Sequence, residues 1–296
     1  MLSLIICSRS ERLNNELSTN ISATIGIPYE IVLINNADNR YSICEAYNLG
    51  VQQSRYNVLC FMHDDIAYHT NNWGQKVLAH FANPKVKAIG IAGTPYYPFM
   101  PGPWWGSGHI YEHLLQAGKD TAPSLKSNSE GTMQKEVVLI DGCWMCMKKS
   151  VFTELSFDQQ TFTGYHFYDA DICMQLHTAG HPIYTVADVL IDHASLGDLN
   201  KPWIDGALTF HKKWQHILPA NCLTPGKPVF AYEYKTLNAF IWTCFYNKFT
   251  NRQIYQLALK YLFEFKKGYG YHKTPGYLVK FLFKYLFKKG APFYTF

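Results

Sequence analysis

Val58-Leu-Cys-Phe-Met-His-Asp-Asp65 decides how this chain is read: five apolar residues stop abruptly at one imidazole and two carboxylates. A run this short and apolar predicts a strand buried on both faces, and the polar stop marks where it leaves the core. Upstream, residues 2–7 and 29–34 predict two more buried strands, the second ending in the turn cluster Asn35-Asn36-Ala-Asp38. Between them lie a helical stretch over 8–23 and a helix over 42–53, with Ile43, Ala46, Tyr47 and Gly50 on one side. Downstream, 71–81 predicts a helix and 86–92 a fourth strand. Short buried strands alternating with helices predict an α/β fold with a Rossmann-like, mostly parallel sheet flanked by helices. Ligands of such sheets gather at the carboxyl ends of the strands, where Ser8, Asn35-Asn36 and Asp64-Asp65 all fall.

The remainder divides at about residue 217. Residues 93–129, rich in Pro, Gly and Trp, predict a long loop, 137–147 a strand, 169–179 a helix stopped by Gly180, 183–193 a strand and 205–216 a last helix. A linker over 219–228 then leads into a helical extension, so the expected domains are 1–217 and 218–296. Of the 296 residues, 48% are apolar and 17% charged, which excludes a disordered chain. No window holds the roughly 18–20 apolar residues of a spanning helix, and the first residues read as a strand, not as a leader. Eight scattered cysteines suit reduced, buried thiols, so cytoplasm is the expected location. The net charge of +5 is uneven: residues 228–296 hold eleven basic and two acidic residues, leaving 1–227 mildly acidic. That asymmetry predicts a polyanionic surface as partner.

Three constellations carry chemistry. Asp64 and Asp65 leave a buried strand at the ligand edge, where a hard cation such as Mg²⁺ or Mn²⁺ shares carboxylate and phosphate oxygens; a solvated turn is the alternative. Asp169 sits where a helix starts, a position that favours an ionised carboxylate and hence a general base. Asp171, in the same first turn, reads as a helix-start residue. His193 ends a strand against a small-residue loop, placed to complete a metal site or touch phosphate. Cys143-Trp-Met-Cys146, one pair without a second, is not read as a zinc site.

The order of these residues, together with Glu45-Ala-Tyr-Asn-Leu-Gly50 and Tyr168-Asp-Ala-Asp-Ile172, resembles inverting family 2 glycosyltransferases of the GT-A fold. It resembles in particular the bacterial branch with a histidine before the paired aspartates, over roughly residues 1–215. The resemblance implies that Ser8, Asn35 and Asn36 lie around the donor nucleotide and Asn48 near its ribose or diphosphate. Asp65 and His193 would hold the divalent metal (Mn or Mg), with Asp64 contacting ribose or sharing the metal. Asp169 would be the catalytic base. The donor would be a nucleotide sugar, foremost a UDP-sugar. The implied reaction is an inverting displacement onto a hydroxyl of a surface-glycan acceptor of lipopolysaccharide or capsule type. Trp104 and Trp105 in the 95–108 loop, with Asp141 at a bend, are acceptor-side candidates. Three features depart from the family pattern: Asn35 and Asn36 replace acidic residues, His63 stands where a first aspartate is common, and Tyr168 replaces a glutamate.

Lys280, Lys284 and Lys288 recur every four residues along an apolar stretch near the C-terminus, the form of an interfacial membrane helix. The expected location is therefore peripheral, on the inner face of the cytoplasmic membrane. Packing of that helix on the main domain is the competing reading. Nucleic acid is not expected, because no binding motif accompanies the charge. A nucleotidyltransferase would want a Gly-rich loop after the first strand, which Cys7-Ser-Arg-Ser10 lacks. An inactive carbohydrate-binding or scaffold protein would not need Asp65, Asp169 and His193 together.

Overall fold

A computed structural model of the chain describes residues 1–118, 121–128, 133–223 and 228–269. The chain begins β1 (Leu2–Ser8), α1 (Asn15–Thr24), β2 (Tyr29–Asn35), α2 (Ile43–Gln53), β3 (Val58–Met62) and β4 (Ile66–Tyr68). It continues α3 (Trp73–Ala82), β5 (Ala88–Gly90), β6 (Ala92–Thr94) and β7 (Tyr96–Tyr97), then a 3-10 turn at Trp104–Ser107. Next come β8 (Tyr111–Gly118), β9 (Thr121–Ser127), β10 (Gln134–Val137), β11 (Leu139–Ile140) and β12 (Trp144–Lys148). The remainder is α4 (Tyr168–Thr178), β13 (Ile183–Val186), β14 (Ile191–His193), α5 (Lys201–Trp214), β15 (Ala220–Asn221), α6 (Phe230–Tyr246) and α7 (Asn251–Tyr269).

The main sheet has seven strands in the order β10-β13-β5-β12-β3-β1-β2. Its strands are apolar on both faces because each face has its own core. In β3, Leu59 and Phe61 join one cluster while Val58, Cys60 and Met62 join the other. β12 divides in the same way, Met145 and Met147 against Trp144 and Cys146. Side chains alternate across a strand, so a continuous apolar run is what a sheet covered on both sides requires.

The α/β fold class stands, but the main sheet is mixed. β1–β2, β1–β3 and β5–β13 pair in parallel, whereas β12 runs antiparallel between β3 and β5, and β10 antiparallel to β13. The reversal of β12 matters for the site. Trp144 is opposite Met62, so the start of β12 meets the end of β3, and the His63 amide donates to the Cys143 carbonyl at 3.1 Å. The expected single strand over 137–147 is in fact β10, β11 and β12, broken at Asp141-Gly142-Cys143 where it crosses that edge.

A second sheet, β11-β6-β8-β14-β4 with β9 on β8, occupies much of the segment expected to be a loop. The hairpin β8–β9 gives no sequence signal because residues 122–127 of β9, from Ala122 to Ser127, are all exposed, so no apolar alternation announces the strand. β6 and β11 pair antiparallel, Thr94 with Leu139, so the chain leaves for this excursion and returns at one place. The first helix starts later than expected, at Asn15, because Asn14 caps it by accepting from the Glu16 amide. The 183–193 segment is two strands in different sheets.

Helices α6 and α7 share one apolar cluster with the sheet and α5: Leu237, Phe240, Ile254, Leu262 and Phe265 pack with Phe99, Phe210 and Trp214. Glu233 on α6 is fully buried and accepts from the Tyr96 hydroxyl and the amides of Phe99 and Met100, fastening the start of the 95–108 segment. Burial raises the Glu233 carboxyl to about 7. A Cβ at Gly102 would lie 2.4 Å from the Thr236 side chain, so a glycine is what lets this segment lie on α6. Among the described residues, no helix is long and apolar enough to cross a membrane. Lys280, Lys284 and Lys288 lie outside the described residues.

Candidate active site

His63, Asp64 and Asp65 occupy the step between β3 in one sheet and β4 in the other. A chain changing sheets cannot continue either ladder, so three polar side chains project at the seam. β14 runs beside β4 with His193 opposite Ile66, which delivers a second imidazole to the same place. The Asp65 carbonyl accepts from the Ala194 amide at 3.2 Å, and its carboxylate from the Ser195 amide at 3.1 Å.

His63, Asp65 and His193 form the one group of metal-ligating side chains found among the described residues. His63 Nδ1 lies 3.3 Å from His193 Nε2 and 3.8 Å from Asp65 Oδ1, and His193 Nε2 lies 3.7 Å from Asp65 Oδ1. The point equidistant from these three atoms is about 2.1 Å from each, the usual metal–nitrogen length, so the donor set fits a divalent cation. Desolvation in the cleft, then the neighbouring His193, lowers the His63 pKa, which keeps its ring neutral as a ligand must be. Asp65 and His193 are thus brought together as expected. His63 joins them, and its position at the head of His-Asp-Asp is the signal the sequence offers for it.

Asp64 turns the other way. It is exposed and accepts from the Ser8 hydroxyl at 2.6 Å, and Ser8 Oγ in turn accepts from the Ser10 amide at 3.1 Å. This places Asp64 with the β1 edge and outside the cation triangle. Asn35 is exposed at the end of β2, its side chain accepting from the Ala37 amide. Asn36 is buried: it donates to the Tyr41 carbonyl and the Tyr165 hydroxyl and accepts from the Tyr41 amide. Asn48 is equally committed, donating to the Phe157 carbonyl and to Gln159 and accepting from the Phe157 amide. The geometry therefore corrects two of the donor-side expectations. Asn36 and Asn48 staple loops through their amides, Asn35 and Asp64 are exposed at the strand ends, and Ser8 is buried beneath them with its hydroxyl bonded to Asp64 and the Ser10 amide.

Asp169 is the second residue of α4. Its carboxylate accepts from the Ala170 amide at 2.8 Å and the Gly142 amide at 3.0 Å. These bonds favour ionisation, and the helix start was expected to keep the group charged. Burial and then the charge of Asp141 outweigh them and raise its pKa well above the ordinary carboxylate range. Asp141 accepts from the Trp104 indole and the Cys143 amide, both at 2.9 Å. One acceptor-side candidate, Trp104, is thereby tied to another, Asp141. Trp105 is half-buried in the same 3-10 turn. Asp171 is buried in a structural cluster, accepting from Trp214, Gln175 and Lys213, in line with its reading as a helix-start residue.

Tyr168 connects the two halves of the site. Its hydroxyl lies 3.0 Å from His63 Nε2, and a Cβ at residue 142 would lie 2.1 Å from that oxygen, so Gly142 makes room for it. In the sequence Tyr168 stands out only as a departure from glutamate. Contact with a residue 105 positions away leaves no local signal.

A mixed α/β domain thus gathers His63, Asp65 and His193, with a buried carboxylate of raised pKa nearby, at one edge of its sheets. The chain belongs to a glycosyltransferase-like family, whose model matches residues 3–214. It is 26% identical over 138 residues to "ATP synthase subunits region ORF 6" of Fuscovulum blasticum, covering 45% of this chain and 49% of that one. The chain therefore spans about half the length of that curated relative. Among solved structures, it is similar to GalNAc-T7 with UDP, GalNAc and Mn²⁺ at 12% identity and a TM-score of 0.49, over 82% of this chain and 55% of that one. It is also similar to A197 from STIV at 17% identity and a TM-score of 0.38, over 65% and 84%.

Proposed function

We propose that this chain is an inverting, metal-assisted glycosyltransferase moving a sugar from a nucleotide-sugar donor, foremost a UDP-sugar, to a hydroxyl of a lipopolysaccharide- or capsule-type acceptor. The observation that carries this reading is the triangle of His63, Asp65 and His193 at the edge shared with the Ser8–Asp64 pair and Asp169. His63, Asp65 and His193 would hold the cation, and two imidazoles favour Mn²⁺ over Mg²⁺, which prefers oxygen ligands. When bound, the cation supplies charge neutralisation for the departing diphosphate. Ser8, Asn35 and Asp64 orient the nucleotide. Asp169 takes the proton from the acceptor hydroxyl, which attacks the anomeric carbon opposite the nucleotide. Its raised pKa suits that role, since a base works best with a pKa near the operating pH. Asp141 and Trp104 shape the acceptor side, with Trp105 beside them. The basic, aromatic C-terminal segment holds the enzyme at an anionic cytoplasmic membrane surface, where a lipid-linked acceptor would be presented.

The test is a panel of nucleotide sugars, read by calorimetry with and without Mn²⁺ and by donor hydrolysis, on wild type, Asp65→Ala and Asp169→Asn. Donor binding that needs Mn²⁺, is lost in Asp65→Ala and persists without turnover in Asp169→Asn is the expected result. Failure of every donor to bind would sink the reading.

A further inference from the structure

We propose that Tyr168 is the positioning residue of the cation site. Its hydroxyl accepts the Nε2–H of His63 when a cation takes Nδ1, and donates to Nε2 when none is bound. The inference rests on the reading of His63, Asp65 and His193 as that site. A neutral imidazole has one N–H and one lone pair. The nitrogen of His63 that faces the other two ligands is Nδ1, 3.3 Å from His193 Nε2. To ligate, Nδ1 must offer its lone pair, so Nε2 must carry the proton, and 3.0 Å from Nε2 stands the Tyr168 hydroxyl. Without a cation the reverse arrangement is consistent: Tyr168 donates to Nε2, and Nδ1–H donates to His193 Nε2. The exchange is balanced, because Nδ1 gives one proton to solvent and Nε2 takes one back.

A hydroxyl can serve both states because it donates and accepts. An ionised glutamate at this position would only accept, and a phenylalanine would do neither. The hydroxyl is held in place from several sides. Tyr168 is 6% exposed, its ring packs at 5.5 Å edge-on to Tyr47, and Gly142 leaves the room its oxygen needs. Tyr168 also begins α4, and its neighbour Asp169 accepts from the Gly142 amide. The orientation of a cation ligand and the position of the base thus depend on the same contact between α4 and the 141–143 bend.

The experiment measures Mn²⁺ binding alone, with no donor, by electron paramagnetic resonance on the full chain. Tyr168→Phe, which keeps the ring, should weaken Mn²⁺ about 10- to 100-fold, the usual effect of losing a partner behind a metal-bound histidine. His63→Ala, Asp65→Ala and His193→Ala should weaken it at least as much. Wild-type affinity in Tyr168→Phe, with binding lost in the three alanine variants, overturns the positioning role and leaves the cation site intact. Unchanged binding in all three alanine variants overturns the site itself. A measurement independent of variants is the ¹⁵N spectrum of His63 in wild type loaded with diamagnetic Zn²⁺. The proton should reside on Nε2 with the cation and on Nδ1 without it. A proton on Nδ1 in the loaded chain refutes the proposal.

Discussion

Asp169 stores a conflict that its neighbours create. It must be ionised to act as a base, yet burial and Asp141 oppose ionisation. Its folded pKa is raised above the unfolded value of about 3.9, so the folded chain binds more protons between the two values. Its contribution to stability is therefore fully present below about pH 3.9 and is lost as pH rises through the folded pKa. Asp169→Asn should melt higher than wild type at pH 8, with the difference shrinking towards pH 4, while turnover falls about 10²- to 10⁴-fold. Differential scanning calorimetry across pH and a donor-turnover assay check the two halves, and a lower melting temperature at pH 8 would contradict the first. Removing the like charge with Asp141→Asn should move the acidic limb of the kcat/KM profile to lower pH. Asn48 supplies the contrast. Its amide makes three bonds to the 157–159 loop, so Asn48→Ala should cost about 1–3 kcal/mol of stability and leave donor affinity unchanged. Denaturant unfolding and donor calorimetry separate that outcome from a ribose contact.

At the scale of elements, what the sequence disclosed followed the strength of local pattern. β1, β2 and β3 were legible because each is a bounded apolar run, and α2 because Ile43, Ala46, Tyr47 and Gly50 fall on one side, all of them buried in the fold. The β8–β9 hairpin was hidden because the residues of β9 from Ala122 on are exposed. The direction of β12 was hidden for a different reason: a buried strand reads the same in parallel and antiparallel pairing. The site divides along the same line. Asp65, Asp169 and His193 sit at the ends of elements, where punctuation marks their positions, while the roles expected of them come from the family resemblance. The contact between His63 and Tyr168 spans the fold, and only the folded chain reveals it. Gly142 belongs to this hidden group. Gly142→Ala would place a methyl 2.1 Å from the Tyr168 oxygen; we expect a loss of about 1–3 kcal/mol, together with weakened Mn²⁺ binding. Thermal melting paired with a Mn²⁺ titration measures both, and a neutral substitution would show that the bend is pliable.

For the whole molecule, the boundary expected at 217 does not separate one core from another. Leu237, Phe240, Ile241, Ile254, Leu262 and Phe265 are all at 0–2% exposure within the cluster that also holds Phe210 and Trp214. Burial of six such side chains is worth on the order of 10 kcal/mol, comparable with the net stability of a typical domain, about 5–15 kcal/mol. A chain ending at residue 217 should accordingly fail to fold cooperatively, whereas one ending at 269 should melt like the full chain. The second truncation also isolates the basic tail: it should lose co-sedimentation with anionic liposomes, and full retention would assign membrane contact to the folded region.

The clasp between β6 and β11 has a consequence for how this protein can diversify. The chain departs after Thr94 and returns by Leu139, and those two residues are paired neighbours. The material between them, which includes Trp104, Trp105 and the β8–β9 hairpin, leaves and returns at one closed stem and is held further by β14, by α6 and by the pairing of β10 with β13. Lengthening a segment whose ends are already joined costs little, about 0.6 kcal/mol for each doubling. Inserted length is therefore tolerated best where it leaves the pairing of β8 with β14 intact, since Gln116 lies opposite His193 and donates to its carbonyl at 2.9 Å.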